Sequence, residues 1–342
     1  MRILRVLVLG GSGHIGSQLV EALKSTPWAV PVSASRSTVG TGHANVETMR
    51  VDSRDVQALT SALEDFDAVV NCVAGDARSI SEGARVLVQA ALGTQCRRIV
   101  HLSTMSVYGP VEGLVREDTA LNPSLGWYGQ AKCDAEKHMR EFARRGGEVV
   151  VLRPGCVFGP GSELWVGRVG RWLQTGRLGD LGVAGDGWSN LVHVDDVCQA
   201  LMAALQLPVR PGDMPVFNLA APDSPRWNDY FVDLALALQA TLVPRIGPRQ
   251  LRLDALLAGP PLKVMQLAFK RLGRPTSGLP DPMPPGLLRL WAQHIHLDAT
   301  QAAQKLRVTW TPYAVGLQSS ADWFVGKKAE RTPPLDKAIC IP

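Results

Sequence analysis

A glycine-rich turn separates the first apolar run of the chain from its first amphipathic segment. Ile3–Leu9 is short and rich in leucine and valine, which is typical of a strand buried on both faces of a parallel sheet. Ile15, Leu19 and Leu23 then recur at helical spacing. The joint between them reads Gly10-Gly11-Ser12-Gly13-His14-Ile15-Gly16. Such a turn lets the backbone approach a ligand, and we predict a pyrophosphate at the N-terminus of the helix.

The alternation of apolar runs and helical patterns continues through the first half of the chain. Strands are predicted at 29–33, 46–51, 68–72, 98–102 and 148–152, and helices at 56–63, 80–92 and 130–145. Strands that alternate with helices imply right-handed crossovers. The predicted fold class is therefore α/β, a doubly wound parallel sheet of the Rossmann type with a smaller mixed C-terminal lobe for the substrate.

Beyond about Phe158 the alternation weakens, and glycine, tryptophan and proline become frequent. We predict a dinucleotide-binding domain over 1–158, a mainly substrate-binding lobe over 159–330 and a tail over 331–342. Strands at 192–194 and 216–219 and a helix at 196–205 are expected to return to the first domain. A further helix is predicted at 227–242 and a proline-rich loop at 275–285.

Composition excludes several classes of protein. The 342 residues are 46% hydrophobic and 20% charged, which is ordinary for a globular protein and unlike a disordered one. The net charge of +5 is too small to imply nucleic-acid binding, and no apolar stretch is long enough to span a membrane. The six cysteines lack the spacing of a zinc site or a disulfide framework, so we expect no metal and a reducing, cytoplasmic setting.

The cofactor is predicted from the turn and from the strand ends that follow it. The turn contributes Gly10, Ser12, Gly13, His14, Ile15 and Gly16. Where an NAD site would place an acid, the second strand ends in Ser35-Arg36-Ser37, and Arg36 would bind a 2′-phosphate with help from either serine. NADP is therefore favoured over NAD. Asp52 is predicted to accept from the adenine amino group, and Val73 and Ala74 to run beside the adenosine.

A tyrosine and a lysine lie four residues apart where the third of these helices is expected to start. Tyr128 and Lys132 therefore share one helical face. A phenol with a pKa of about 10 exchanges protons near neutrality only beside a positive charge, which Lys132 supplies. Ser103 and Thr104 follow the strand at 98–102, at the carboxyl edge where open α/β sheets bind ligands. A hydroxyl there can bind a substrate carbonyl or alkoxide.

These motifs, taken in order, resemble the extended short-chain dehydrogenase/reductases, the NAD-dependent epimerase/dehydratase family. The resemblance extends from Arg2 to about Asp196. It rests on the segments 10–16, 71–75, 103–109, 117–132, 152–161 and 193–197. It implies that Thr104, Tyr128 and Lys132 are catalytic, with Lys132 also holding the cofactor. It further implies that the backbone from Pro154 to Val157 lines the nicotinamide, and that His193, Asp195 and Asp196 are structural or near the substrate.

Departures from the family narrow the chemistry that the resemblance implies. Sugar-nucleotide dehydratases carry Asp-Glu after the catalytic threonine, whereas this chain has Met105 and Ser106, so dehydration is disfavoured. Arg36 and NADP favour a reductase that interconverts a secondary alcohol and a ketone on a small molecule. The alternatives are a nucleotide-sugar epimerase and a non-catalytic dinucleotide-binding scaffold. By analogy with the family, a homodimer would form through the helices at 80–92 and 130–145.

The positive charge is concentrated between Arg245 and Arg274. Seven basic residues there interleave with leucines and face one acid, Asp254. Three interpretations remain open: a clamp for an anionic substrate such as a diphosphate, a membrane-surface helix linked to a lipid-like substrate, and a packed helix pair with basic solvent faces. Pro260 and Pro261 are expected to break the stretch.

Overall fold

A computed structural model describes residues 3–36, 46–240, 242–274 and 279–331. Ser37, residues 275–278 of the predicted proline-rich loop and residues 332–342 of the predicted tail lie outside these residues. The strands are β1 Leu4–Leu9, β2 Ala29–Ser35, β3 Glu47–Arg50, β4 Ala68–Asn71, β5 Arg98–Leu102, β6 Gly113–Val115, β7 Glu148–Pro154, β8 Cys156–Phe158, β9 Leu191–His193, β10 Val216–Leu219 and β11 Ile295–Leu297. The helices are α1 His14–Lys24, α2 Val56–Leu63, α3 Ala77–Leu92, α4 Trp127–Arg144, α5 Arg168–Gln174, α6 Val194–Gln206, α7 Trp227–Ala237, α8 Pro248–Leu253, α9 Gly259–Arg271, α10 Pro285–Ala292, α11 Thr300–Lys305 and α12 Tyr313–Arg331.

Seven parallel strands form one sheet in the order β10-β7-β5-β4-β1-β2-β3. The strand order reverses between β1 and β4, which is where doubly wound sheets open a crevice for ligands at their carboxyl edge. The predicted fold class is confirmed. The glycine turn follows β1, and Thr104 follows β5, so both lie at this edge.

The sheet is buried on both faces, because alternate residues of each central strand enter different cores. Val6 and Val8 of β1 pack with α1 and α6, whereas Leu7 and Leu9 pack with α2, α3 and α4. This is why these strands are continuous apolar runs rather than polar–apolar alternations.

The chain divides into two compact units. The first comprises residues 1–157, 190–224 and 294–311, and the second comprises 158–189, 225–293 and 312–342. Residues 294–311, which the sequence placed in the second lobe, fall in the first unit, where β11 pairs with β6. The core of the second unit is aromatic, with Trp227, Phe231 and Trp291 stacked and fully buried.

Three predicted elements in the second unit differ from those observed. The helix predicted to reach Leu242 ends at Ala237, because Gln239 adopts a left-handed φ of +53° and the Ala240 N–H closes back on the Ala235 carbonyl. Pro285, predicted in a loop, opens α10 at the position where its missing N–H is harmless.

The third difference concerns the basic stretch, where the prediction of a break at Pro260 and Pro261 is wrong. Residues 248–271 are helical without interruption, with a π-helical turn at Asp254–Ala258 between α8 and α9. The Gly259 N–H bonds the Asp254 carbonyl across this wide turn. Both prolines fall in the first turn of α9, where a missing N–H is tolerated.

Candidate active site

The glycine turn closes over the end of β1 and leads straight into α1. Gly10 adopts a φ of +80°, and its carbonyl accepts from the Gly13 N–H at 2.9 Å. A Cβ atom at Gly16, in the first turn of α1, would lie 2.3 Å from the Gly10 carbonyl oxygen, so only glycine fits at this position. Ser12 and Gly13 are exposed, and His14 and Ile15 are half-buried. No side chain caps α1 at Gly13, so its first turn presents backbone N–H groups. The turn fits a pyrophosphate.

Arg36 lies exposed at the end of β2, and its positive charge acts on two carboxylates nearby. It lowers the pKa of Asp52 and of Asp76, as a smaller contribution beside the hydrogen bonds each receives. Asp52, whose contact with adenine stays a prediction, accepts from Arg54, whose Nε and Nη2 lie 3.2 and 3.1 Å from its two oxygens. The hydrogen bond from Arg54 is the main reason that the pKa of Asp52 is lowered.

Arg54 is a candidate that the sequence reasoning missed. It is half-exposed, and its charge acts on Asp76 as that of Arg36 does. The signal was available in the Asp-x-Arg spacing after β3, because an arginine two residues from an aspartate at a strand end stays on the same side of the turn.

The segment after β4 is held by a buried amide. Asn71 Oδ1 accepts from the Val73 N–H at 3.1 Å, and Asn71 Nδ2 lies 3.2 Å from His101 Nδ1. Burial keeps the pKa of His101 well below its usual value, so this imidazole is neutral. The predicted Val73 and Ala74 are therefore fixed at the crevice, with the Val73 carbonyl facing Lys132 Nζ at 3.4 Å.

Thr104 and Tyr128 are neighbours at the carboxyl edge of the sheet. Thr104 follows β5 in extended conformation, and Tyr128 is the second residue of α4, preceded by Gly126 at a φ of +145°. Burial raises the pKa of Tyr128, and the Thr104 side chain opposes this only in part. The phenol is thus protonated at neutral pH and able to donate.

Lys132 is the buried cation of the site. Its side chain is 3% exposed, and Nζ donates to the Leu102 carbonyl at 2.7 Å. Burial lowers its pKa to about 8, against the opposing charges of Cys72 and Glu136. Tyr128 and Lys132 share a face of α4, as their spacing predicted.

A buried polar network lies directly behind this pair. Glu136, one turn beyond Lys132, pairs with Arg153 of β7 at 2.7 and 3.0 Å, and both side chains are at most 3% exposed. Ser103 Oγ, next to Thr104, donates to the same carboxylate at 2.6 Å. The network therefore ties α4 to the ends of β5 and β7, and so fixes Tyr128 relative to Thr104.

The network continues away from the site. Arg153 donates to the Tyr108 hydroxyl at 2.9 Å, and this hydroxyl donates to Asn218 Oδ1 at 2.6 Å. Sequence reasoning missed Glu136 and Arg153. Helical spacing from Lys132 could have found the first, and a lone arginine inside a run of buried strand residues could have found the second.

The remaining predicted residues lie at the ends of β7 and β9. Pro154 ends β7 and Val157 is a buried residue of β8. His193 caps α6 by accepting from the Asp195 N–H at 3.4 Å. Asp196 is fully buried, and its two oxygens accept from the Thr311 N–H and hydroxyl. The sequence predicted that His193, Asp195 and Asp196 are either structural or near the substrate. These hydrogen bonds give Asp196 a structural role.

The comparisons with known proteins agree with this geometry. The model of the family described as "NAD dependent epimerase/dehydratase family" matches residues 6–220. The chain is 30% identical over 211 residues to the uncharacterized protein y4nG of Sinorhizobium fredii, covering 58% of this chain and 52% of that protein. It is also 30% identical over 210 residues to 2′-dehydrokanamycin reductase of Streptomyces kanamyceticus, covering 59% and 58% of the two chains. The chain thus spans little more than half the length of these relatives.

Solved structures agree in fold over nearly the whole chain. The UDP-glucuronic acid 4-epimerase of Bacillus cereus, in complex with NAD, superposes with a TM-score of 0.70 at 19% identity, covering 95% of this chain and 99% of that one. This likeness agrees with the parallel sheet and the flanking helices described above. Among the described residues, no helix is long and apolar enough to cross a membrane.

Proposed function

The chain belongs to the NAD-dependent epimerase/dehydratase family of extended short-chain dehydrogenases/reductases, and from this premise we propose that it is an NADP-dependent oxidoreductase. It interconverts a secondary alcohol and a ketone on a small-molecule substrate. The observation that carries the proposal is that Thr104, Tyr128 and Lys132 come together at the carboxyl edge of the sheet, with Tyr128 one helical turn from Lys132, whose Nζ donates to the Leu102 carbonyl two residues before Thr104.

When bound, the nicotinamide would supply or accept the hydride. In the direction of reduction, Thr104 and Tyr128 donate hydrogen bonds to the substrate oxygen. Tyr128 then gives its proton to the oxygen as the alcohol forms. Lys132 lies one helical turn from Tyr128 and is charged below a pKa of about 8, so it would stabilise the phenolate that remains.

The residues after Thr104 argue against water elimination. Met105 is buried, and Ser106 is occupied with Thr104, whose hydroxyl lies 3.3 Å from Ser106 Oγ. Neither side chain can act as a carboxylic acid or a carboxylate base. The relative named as a 2′-dehydrokanamycin reductase supports ketone reduction within the same family.

Arg36 supports NADP as the cofactor. It lies exposed at the end of β2, with no acid beside it in the sequence Val32-Ser33-Ala34-Ser35-Arg36 to bind a ribose diol. Its guanidinium and that of Arg54 both act on Asp52 and Asp76, so a 2′-phosphate that binds there would have two arginines from which to accept hydrogen bonds, in competition with these carboxylates. This pair is the proposed reader of the phosphate.

A paired fluorescence titration with NADPH and NADH tests the proposal, after any co-purified dinucleotide has been removed by unfolding and refolding. We expect NADPH to bind at least about tenfold more tightly, as one lost charge-assisted contact predicts. Turnover of ketones with NADPH then completes the assignment. Tight NAD binding with no net consumption of cofactor would instead assign a nucleotide-sugar epimerase, and failure to bind either dinucleotide would leave a non-catalytic scaffold.

A further inference from the structure

Among the described residues, the helical run 248–271 of the second unit contacts its neighbours along one narrow stripe. Leu251, Ala255 and Gly259 are buried, and Leu262, Gln266 and Phe269 are half-buried. These residues recur every three or four positions, so they occupy one line along the helix. Gly259 approaches the Met283 backbone too closely for any side chain, and Arg177 holds Asp254 at 2.5 and 2.9 Å. The run is thus firmly seated but covered on one side only.

The rest of its circumference exposes apolar side chains. Among the described side chains from Leu253 to Leu272, seven large apolar ones are between 38% and 71% exposed. They are Leu253, Leu256, Leu257, Val264, Met265, Leu267 and Leu272. Single exposed leucines are common on protein surfaces, but seven large apolar side chains exposed within one helical segment, here called the strip, mark a surface that contacts something apolar.

The charges beside this strip are of one sign. Arg249, Arg252, Lys263, Arg271 and Arg274 are exposed around it. Asp254 is the one acid that the sequence holds between residues 245 and 274, and it is neutralised by Arg177. Exposed apolar side chains interleaved with basic ones, for which the described residues provide no acidic partner, are complementary to a bilayer, which is apolar inside and anionic at its surface.

The distance over which the basic residues are spread distinguishes an extended binding partner from a small ligand. Arg249 and Arg271 lie about 33 Å apart along the helix at 1.5 Å per residue. A diphosphate is far shorter and would meet only one or two of these side chains. A bilayer meets all of them, because lysine and arginine stems can lie along an apolar surface while their heads reach the phosphates.

We propose that the run 248–271 binds the surface of an anionic lipid bilayer. The exposed leucines enter the boundary between headgroups and acyl chains, and the flanking basic residues contact lipid phosphates. This binding is independent of the proposed redox function, since no residue of the run belongs to the candidate active site.

The test is flotation of the full-length protein with vesicles of phosphatidylcholine alone or with about one third phosphatidylglycerol. We expect the protein to float with the anionic vesicles and to stay behind with the neutral ones. Replacing Lys263 and Arg271 by glutamine should weaken binding about fivefold per charge, and about 0.5 M salt should act in the same direction. Equal binding to both vesicles would overturn the electrostatic part of the proposal.

The apolar part is tested by Leu256→Gln/Leu257→Gln/Leu267→Gln. We expect this variant to bind anionic vesicles more than about tenfold more weakly. Leu236→Gln in α7 is the matched control, because Leu236 is 60% exposed outside the strip. Hydrogen exchange of the unmodified protein provides a second measurement, in which vesicles should protect residues 248–271.

Three results would overturn the proposal. They are wild-type protein that does not float with anionic vesicles, a triple variant that floats as well as wild type, and no added protection of the run. A dimer seen by sedimentation without lipid, and dissociated by the triple variant, would assign the strip to a second copy of this chain instead.

Discussion

The two ends of the proposed cofactor-binding edge are built in opposite ways. At the proposed adenosine end, Arg36 and Arg54 are exposed, and the carboxylates near them are solvated. At the proposed catalytic end, Lys132, Glu136 and Arg153 are at most 3% exposed and hydrogen-bonded. Exposed groups can be changed with little effect on folding, whereas buried ions cannot. We therefore expect cofactor choice to be separable from stability at the first end and catalysis to be coupled to stability at the second.

Tyr128→Phe should give the largest effect on turnover. It removes the proton donor while keeping the ring that packs against Trp127. We expect kcat to fall by a factor of about 10³ or more, and the NADPH affinity to stay within about twofold, because the proton transfer alone is lost. Stopped-flow and fluorescence titration measure the two quantities. Retained turnover would remove Tyr128 from the mechanism.

Glu136→Leu should give the largest effect on stability. It leaves Arg153 as a buried charge without its carboxylate, and it frees Ser103. Breaking one side of a buried ion pair costs about 3–5 kcal/mol, so we expect the free energy of unfolding to fall by that order. Glu141→Gln, exposed on the same helix, is the matched control and should change it by less than about 0.5 kcal/mol. If both variants unfold alike in urea, the network does not hold α4 in place.

Arg36→Asp should act on affinity alone. The reversed charge repels a 2′-phosphate and can accept from ribose hydroxyls, so we expect NADPH to bind about ten- to a hundredfold more weakly and NADH to bind more tightly. The free energy of unfolding, measured in urea, should be unchanged within about 0.5 kcal/mol, because the Arg36 side chain is exposed. An unchanged ratio of affinities would mean that Arg36 faces solvent in the complex, and the double variant with Arg54→Ser would then test the second guanidinium.

The two ends also differ in how much of them could be predicted from the sequence. The glycine turn and the Tyr128-x-x-x-Lys132 spacing are local patterns, and the structure places both at the predicted carboxyl edge. The network behind them depends on side chains that meet across three elements, with Glu136 and Arg153 seventeen positions apart. Each of these two residues had a local signal of its own, but their pairing has no short-range signature. Arg54 is different, because it lies two residues from Asp52 and its signal was local.

Local backbone rules explain the boundaries that prediction missed. A left-handed glutamine ended α7, although nothing in the residue type forbids a longer helix there. A π-helical turn accommodated Pro260 and Pro261, although two prolines normally end a helix. In both places the tertiary surroundings decide between conformations that the sequence permits equally.

Lys132→Met should change the free energy of unfolding less than Glu136→Leu does, and in the opposite direction. The pKa of Lys132 falls to about 8 in the folded protein, from its ordinary value near 10.5, because burial disfavours the charged form. The unfolded chain therefore binds more protons between these values, and the contribution of Lys132 to stability rises as the pH increases from about 8 to about 10.5. Below about pH 8 the buried ammonium is destabilising.

At about pH 7 we expect the variant to have a free energy of unfolding higher than wild type by roughly 1–3 kcal/mol, and the difference to shrink towards about pH 10. Lys137→Met, at a side chain 72% exposed on the same helix, should show neither the gain nor its pH dependence. A variant less stable than wild type at about pH 7 would mean that the hydrogen bonds to the Leu102 and Val73 carbonyls outweigh the desolvation of the charge. Catalysis would then not be opposed to stability at this end of the sheet.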